Sequence, residues 1–179
     1  MSNLRVIAQA ISWDAIGDIA SQQRNKIGFA TVCMLPVMEV MELVLAQGLG
    51  LFELLVGSKK EMGSNEGLTD PAGHFIMLRE DVYLKAYDGD PRARFTVAHE
   101  WGHWTLHVNQ PLARAPDPKL VRPYQCAELQ AHQFAAEVLM PRDLIKPNET
   151  VASIMSRFGV SKEAALRRHS FLRKKGIIR

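Results

Sequence analysis

Two histidines stand four residues apart with a glutamate between them, His99-Glu100-Trp101-Gly102-His103, and no other stretch narrows the folds open to this chain so far. On a helix, positions i and i+4 lie on one face, so both imidazoles can grip a single ion. A helix is predicted here. Asp90-Pro91 is a start signal, a capping side chain followed by a proline in the first turn, and the helix it opens runs to about Val108. Phe95, Ala98, Gly102 and Leu106 give that helix an apolar stripe beside the histidines. Glycine is costly inside a helix, so Gly102 marks a place where another backbone or side chain packs closely.

Two histidines with an adjacent glutamate are the arrangement by which zinc peptidases hold their metal and place a general base, here Glu100. A catalytic zinc takes three protein ligands and keeps a fourth position open. His107 continues the stripe of His99 and His103, but geometry argues against it as a ligand. Eight residues span about 12 Å of helix, whereas a zinc–nitrogen bond is about 2 Å. His107 reads instead as a supporting or packing residue. The third ligand must come from elsewhere. Glu128 is the best candidate, on a helix predicted from about Tyr124 to Met140 and stopped by Pro141. His132 follows one turn later on the same face, so either side chain can bind metal. Cys126, two residues before Glu128, is a further option, although a free cysteine is more often buried packing.

The rest of the chain reads as a mixture of elements. A helix is predicted over residues 12–25, with Ser12 as cap. A second is predicted after Leu35 with Pro36 in its first turn, Val37, Val40, Met41, Val44 and Leu45 as its stripe, and Gly48 as its stop. Leu51 to Val56 reads as a buried strand, residues 57–73 as a polar, glycine-rich loop or hairpin connection, and His74-Phe75-Ile76-Met77-Leu78 as a strand that Val82-Tyr83-Leu84 can continue. Prolines at 111, 116, 118 and 123 mark an irregular loop. The tail holds two short helices separated by Phe158-Gly159-Val160-Ser161.

At 179 residues and 47% apolar, the chain is long enough for one compact domain. A net charge of +3 is too weak by itself to argue for nucleic acid, and much of it is local: Arg167, Arg168, Arg173, Lys174, Lys175 and Arg179 crowd the end. Two cysteines, Cys33 and Cys126, with no Cys-x-x-Cys make no disulfide framework and fit a reducing cytoplasm. Met1-Ser-Asn-Leu-Arg lacks the apolar core of a signal peptide. Phe29 to Val56 is interrupted by Pro36, Glu39, Glu42, Gly48, Gly50 and Glu53, so no membrane span is expected.

Arg94-Phe95-Thr96-Val97-Ala98-His99-Glu100-Trp101-Gly102-His103-Trp104-Thr105-Leu106-His107 resembles the R-F-T-x-A-H-E-x-G-H-x-x-L-H block of the ImmA/IrrE family of metallo-endopeptidases. Glu128 to Pro141 resembles that family's second block, E-x-x-A-N-x-F-A-x-x-L-L-M-P, in the same order and at similar separation. The resemblance implies one zinc per chain held by His99, His103 and Glu128, with Glu100 catalytic. It implies an α+β, zincin-like minimal metallopeptidase: a small, mostly antiparallel sheet packed on helices, among them the histidine helix, with a helical C-terminal tail. Residues 1–145 are expected to form that domain, and 146–179 a basic tail of helix-turn-helix character packed on it. Two residues depart from the family. His132 stands where Asn or Asp is usual, and such a group would orient a zinc-bound histidine through its second nitrogen. Trp101 is bulkier than the usual aliphatic residue.

Glu100 is expected to take a proton from water attacking a peptide carbonyl and pass it to the leaving amine. Tyr124, His107 and His132 are candidates for a second electrophile. The strand His74–Leu78 can present an edge on which a substrate peptide adds as an extra strand. The resemblance also suggests the substrate, a separately encoded Xre-type helix-turn-helix repressor or antitoxin, cleaved to release stress or mobile-element genes. Two rival readings are a partner that binds such a regulator with little proteolysis, and a DNA-binding regulator using the basic tail, which weak net charge disfavours. Histidine and carboxylate ligands also accept manganese or iron.

Overall fold

A computed structural model describes residues 6–115 and 117–178; Met1–Arg5, Pro116 and Arg179, named above, lie outside them. The first helix, α1 (Trp13–Lys26), follows a two-residue strand β1 (Val6–Ile7) and is capped as expected, with Ser12 Oγ accepting from the Ala15 amide at 3.1 Å. The second helix departs from the sequence reading. Pro36 caps α2 (Val37–Glu39) from outside, and the chain then widens into a π-helix over Val40–Gly48. A run of apolar residues with this spacing suits either winding. The wider turn keeps Val40, Met41 and Leu45 in the core while Leu43 is exposed.

Three strands form the main sheet in the order β2 (Glu53–Gly57), β4 (Phe75–Arg79), β3 (Gly67–Thr69). β2 runs parallel to β4, pairing Glu53 with Phe75 and Gly57 with Arg79, and β3 runs antiparallel, pairing Gly67 with Leu78 and Thr69 with Ile76. The sheet is therefore mixed. A second antiparallel pair joins β1 to β5 (Ala113–Arg114). β4 alternates as a strand with one face on the core should, Ile76 and Leu78 being fully buried. β2 was expected to be buried. It lies at the sheet's edge instead, and Val56 is half exposed.

The stretch read as a loop, residues 57–73, holds a short helix α3 (Lys59–Met62), closed by a Ser58–Glu61 capping box, and then β3. Val82-Tyr83-Leu84 does not continue the strand. It lies in helix α4 (Glu80–Tyr87), where Glu80 and Asp81 face the positive end of the helix dipole and Val82 and Ala86 bury one turn apart.

Helix α5 (Pro91–His107) carries both histidines, and Asp90 caps it by accepting from the amides of Arg92 and Ala93 at 3.1 and 2.8 Å. Helix α6 (Ala127–Leu139) packs directly across it. Gly102 explains how close they come: a Cβ there would stand 3.0 Å from the Ala131 carbonyl oxygen and 3.1 Å from its Cα. Beside that point Trp101, fully buried, meets Phe134 edge-on at 5.7 Å. Gly102→Val should push the helices apart and cost about 1–3 kcal/mol through overpacking, read as a lowered denaturation midpoint.

The tail forms α7 (Val151–Phe158) and α8 (Lys162–Lys174), capped by Thr150 and Ser161 and joined through Gly159, whose φ of 63° is left-handed. Its inward residues Ile154, Phe158, Val160, Ala165 and Leu172 belong to the same core as Ile16, Trp101 and Phe134. Arg94 of α5 reaches across to the carbonyls of Phe158 and Gly159 at 3.2 Å each.

Candidate metal centre

The close crossing of α5 and α6 decides what faces what. His99 and His103 look out from α5 over a cleft of about 600 Å³, and Glu128, in the first turn of α6, stands opposite them. The Nε2 atoms of the two histidines are 3.0 Å apart. Glu128 Oε2 is 3.3 Å from His99 Nε2, and its Oε1 is 3.3 Å from His103 Nε2. Hydrogen bonds from His103 and then His99 hold the Glu128 carboxyl well below the usual carboxylate range, against its partial burial.

Glu100 lies beside the histidines, almost fully buried. Strand β3 holds it there. The Thr69 hydroxyl is 2.7 Å from Glu100 Oε2 and 3.1 Å from the Glu100 carbonyl oxygen. Gly67 leaves room for the carboxylate: a Cβ at that position would come within 2.5 Å of Glu100 Cγ. Neither Gly67 nor Thr69 was picked out in the sequence. A three-residue strand inside a glycine-rich stretch leaves no periodic signal.

The supporting candidates separate. His107 is buried on α5, its Nδ1 3.0 Å from His103 Nδ1 and its Nε2 2.8 Å from Gln130 Oε1. Burial pulls its imidazole below the ordinary range. His132 lines the cleft with its ring centroid 4.5 Å from that of His99, and burial, followed by the neighbouring His99, pushes its pKa down to about 4. Its ring packs tilted at 47° against that of His99 and makes no hydrogen bond to it, and His99 Nδ1 is buried without a partner among the described residues. Tyr124 is misplaced by the sequence reading. It does not line the cleft, and its hydroxyl receives a hydrogen bond from Arg122 at 2.8 Å. It lies in the short turn Pro123–Gln125 that precedes α6. Cys126 is buried in a small separate cluster with Ala115, Val121 and Ile7.

The proposed docking edge His74–Leu78 is corrected as well. Phe75, Ile76, Met77 and Leu78 lie on the central strand β4, whose two edges are already paired with β2 and β3. His74 is exposed and bonds Asp70 at 2.9 Å. None of the five lines the cleft. The strand beside the centre is β3, whose residues Gly67, Leu68 and Thr69 do.

The sequence pattern of the peptidase family described as the IrrE N-terminal-like domain matches residues 49–170, which include every residue of the centre. The chain belongs to this family. The IrrE-like domain also has its fold in a solved structure, a Mycobacterium tuberculosis transcriptional regulator, with a TM-score of 0.58 over 88% of this chain at 14% identity. The chain spans 46% of that protein's length. No curated protein matches its sequence.

As a member of a metallopeptidase family, the chain is expected to hold a metal, commonly zinc. The donor set fits one. Tetrahedral zinc with bonds of about 2.0–2.2 Å spaces its ligands about 3.3–3.6 Å apart, close to the 3.0, 3.3 and 3.3 Å found between His99, His103 and Glu128. Among the described residues these three form the one such cluster of donors. Glu128→Ala should therefore lower zinc stoichiometry below one per chain by elemental analysis. Unchanged stoichiometry would move the third-ligand role to His132.

Proposed function

We propose that this chain is a zinc-dependent endopeptidase that hydrolyses a peptide bond in one specific protein partner, a separately encoded Xre-type helix-turn-helix repressor or antitoxin. The observation that carries the reading is the meeting of His99, His103 and Glu128 with a restrained Glu100 in one open cleft. His99, His103 and Glu128 would hold the ion, which when bound supplies Lewis acidity, acidifying water and polarising a carbonyl. Glu100 takes the proton from the attacking water at its carboxylate and gives it to the leaving amine. The Thr69 hydroxyl keeps that carboxylate from swinging away. Burial of Glu100 keeps competing solvent off it. The peptide lies along β3, the strand that both borders the cleft and has one edge unpaired by any strand among the described residues.

The cytoplasm is the proposed compartment. Cys33 and Cys126 are free thiols, and no helix among the described residues is long and apolar enough to cross a membrane. Likeness to a protein named as a transcriptional regulator supports a setting in gene control. The DNA-binding alternative is weakened because two of the tail's arginines are turned inward, Arg168 to Glu137 and Arg157 to Glu149.

The test is incubation of the zinc-loaded protein with the regulator encoded beside it, with and without a chelator, read by intact mass. Discrete fragments that vanish with the chelator are expected. A stable complex without fragments would favour the binding partner over the peptidase, and neither fragments nor complex would reject this partner.

A further inference from the structure

We infer that the outer edge of β2 is a dimerisation surface, occupied by β2 of a second copy of this chain running antiparallel about a two-fold axis at Leu55.

β2 ends the sheet on the side away from β3, and no strand among the described residues pairs with its outer edge. The Glu53 amide donates to the His74 carbonyl at 2.8 Å, toward β4. Backbone groups alternate in direction along a strand. Glu53, Leu55 and Gly57 therefore turn theirs to β4, and Leu54 and Val56 turn theirs outward. Exposed edges are ordinarily blunted by lysine, proline or a bulge. Leu54-Leu55-Val56 contains no lysine or proline and pairs with β4 without interruption, and Val56 is 50% exposed. The π-helix does not close this edge. A cavity of about 340 Å³ separates its Glu42, Ala46 and Gln47 from residues 52–55. Ser58 ends the open stretch, because its amide bonds the Glu61 carboxylate at 2.8 Å and its carbonyl accepts from Glu61 and Met62.

The edge is complementary to itself. In an antiparallel ladder, residue pairs that exchange both backbone bonds alternate with pairs that exchange none. Setting Leu54 opposite Val56 of the second copy, and Val56 opposite its Leu54, satisfies every outward backbone group of both residues. Leu55 then meets its own copy on the axis, in a pair without hydrogen bonds, where side chains come closest. Leu55 is only partly buried and stands beside Met77, which is also partly exposed. On the other face, the half-exposed Val56 is covered by Leu54 of the second copy. Charge favours the same register. Glu53 falls opposite the second copy's Gly57 and next to its Lys59 and Lys60. Glu53, Lys59 and Lys60 are exposed, and none joins an ion pair among the described residues. A parallel pairing would instead set Glu53 beside Glu53, and like charges directly opposite repel. The joined sheet keeps both β3 strands at its far ends, so dimerisation leaves both clefts open.

The experiment is sedimentation equilibrium of the full chain over the micromolar range at low salt, with circular dichroism as the check on folding. The wild type is expected to approach twice its mass of 20.1 kDa. Val56→Pro removes an N–H that faces outward and spares every bond to β4, so it should remain a monomer. Glu53→Lys should raise the dissociation constant about 2–30-fold through two exposed ion pairs, and adding Lys59→Glu should restore it. Glu53→Lys changes only an exposed side chain and decides the matter if Val56→Pro does not fold. A wild type that stays monomeric overturns the proposal. A dimer that withstands Val56→Pro, or that Glu53→Lys leaves unchanged, has its interface elsewhere and overturns it too. So does a monomer whose Leu54 and Val56 amides gain protection from hydrogen exchange only when a different protein is added, which would give the edge to that partner.

Discussion

Glu100→Gln should abolish peptide hydrolysis while leaving zinc bound at wild-type stoichiometry. The amide keeps the size of the carboxylate, and its oxygen can still accept from Thr69. It cannot take a proton from water at neutral pH. A positioned general base contributes about 10²–10⁴-fold to rate, so cleavage should fall by at least that range. Single-turnover cleavage of the partner, followed by intact mass beside elemental analysis, checks both halves. Normal cleavage would remove Glu100 from its role. Lost zinc would show that the carboxylate supports the ligands rather than the chemistry.

Removing the tail should unfold the protein. Truncation after Ile145 takes Ile154, Phe158, Val160, Ala165 and Leu172 out of the core and strips Arg94 of its two carbonyl acceptors. It also exposes the electrostatic weakness that α8 covers. Glu137 is buried on α6, bonded to Arg168 Nη1 and Nη2 at 2.8 and 2.6 Å and to Arg142 Nη2 at 2.8 Å. Burial works against the Glu137 charge, but hydrogen bonds and attraction, first from Arg168 and then from Arg142, outweigh it and hold the carboxyl below its usual range. Breaking a buried pair on one side costs about 3–5 kcal/mol, a large share of the roughly 5–15 kcal/mol a domain has. The single substitution Arg168→Leu should lose that much in denaturant unfolding. Because the native carboxyl is depressed, its contribution is full above the unfolded value of about 4.3 and fades as pH falls through the native one. The gap between wild type and Arg168→Leu should therefore narrow on acidification below about pH 4. A gap constant with pH would mean that packing, not charge, carries the loss.

What was legible in the sequence was local. The cap at Asp90, the i, i+4 histidines and the helix bearing Glu128 are written within a few residues of each other, because helical hydrogen bonds and faces repeat over that distance. Gly102 announced a close crossing without saying which element crosses it. The two blocks at 94–107 and 128–141 sufficed to indicate the family, and the match over 49–170 agrees. Strands and buried polar partners were not legible in this way. Val82-Tyr83-Leu84 looks like a strand by composition, yet two acidic residues before it and its packing on α5 make it helical. β4 has the right pattern for a strand, but only pairing on both sides shows that it has no edge to offer.

The sequence by itself determined the pairing of His99 and His103 with Glu100 between them and the helices that carry them and Glu128, since each lies along one element, but it left the third donor open between Glu128, His132 and Cys126. Only the tertiary structure decided which groups hold those side chains in place. Thr69 meets Glu100 from 31 residues away, Gln130 reaches back to Gln9 across 121, and Arg168 meets Glu137 across 31. Such contacts depend on how elements cross, which no local period encodes, because burial and hydrogen-bond satisfaction are properties of the assembled core rather than of any one segment.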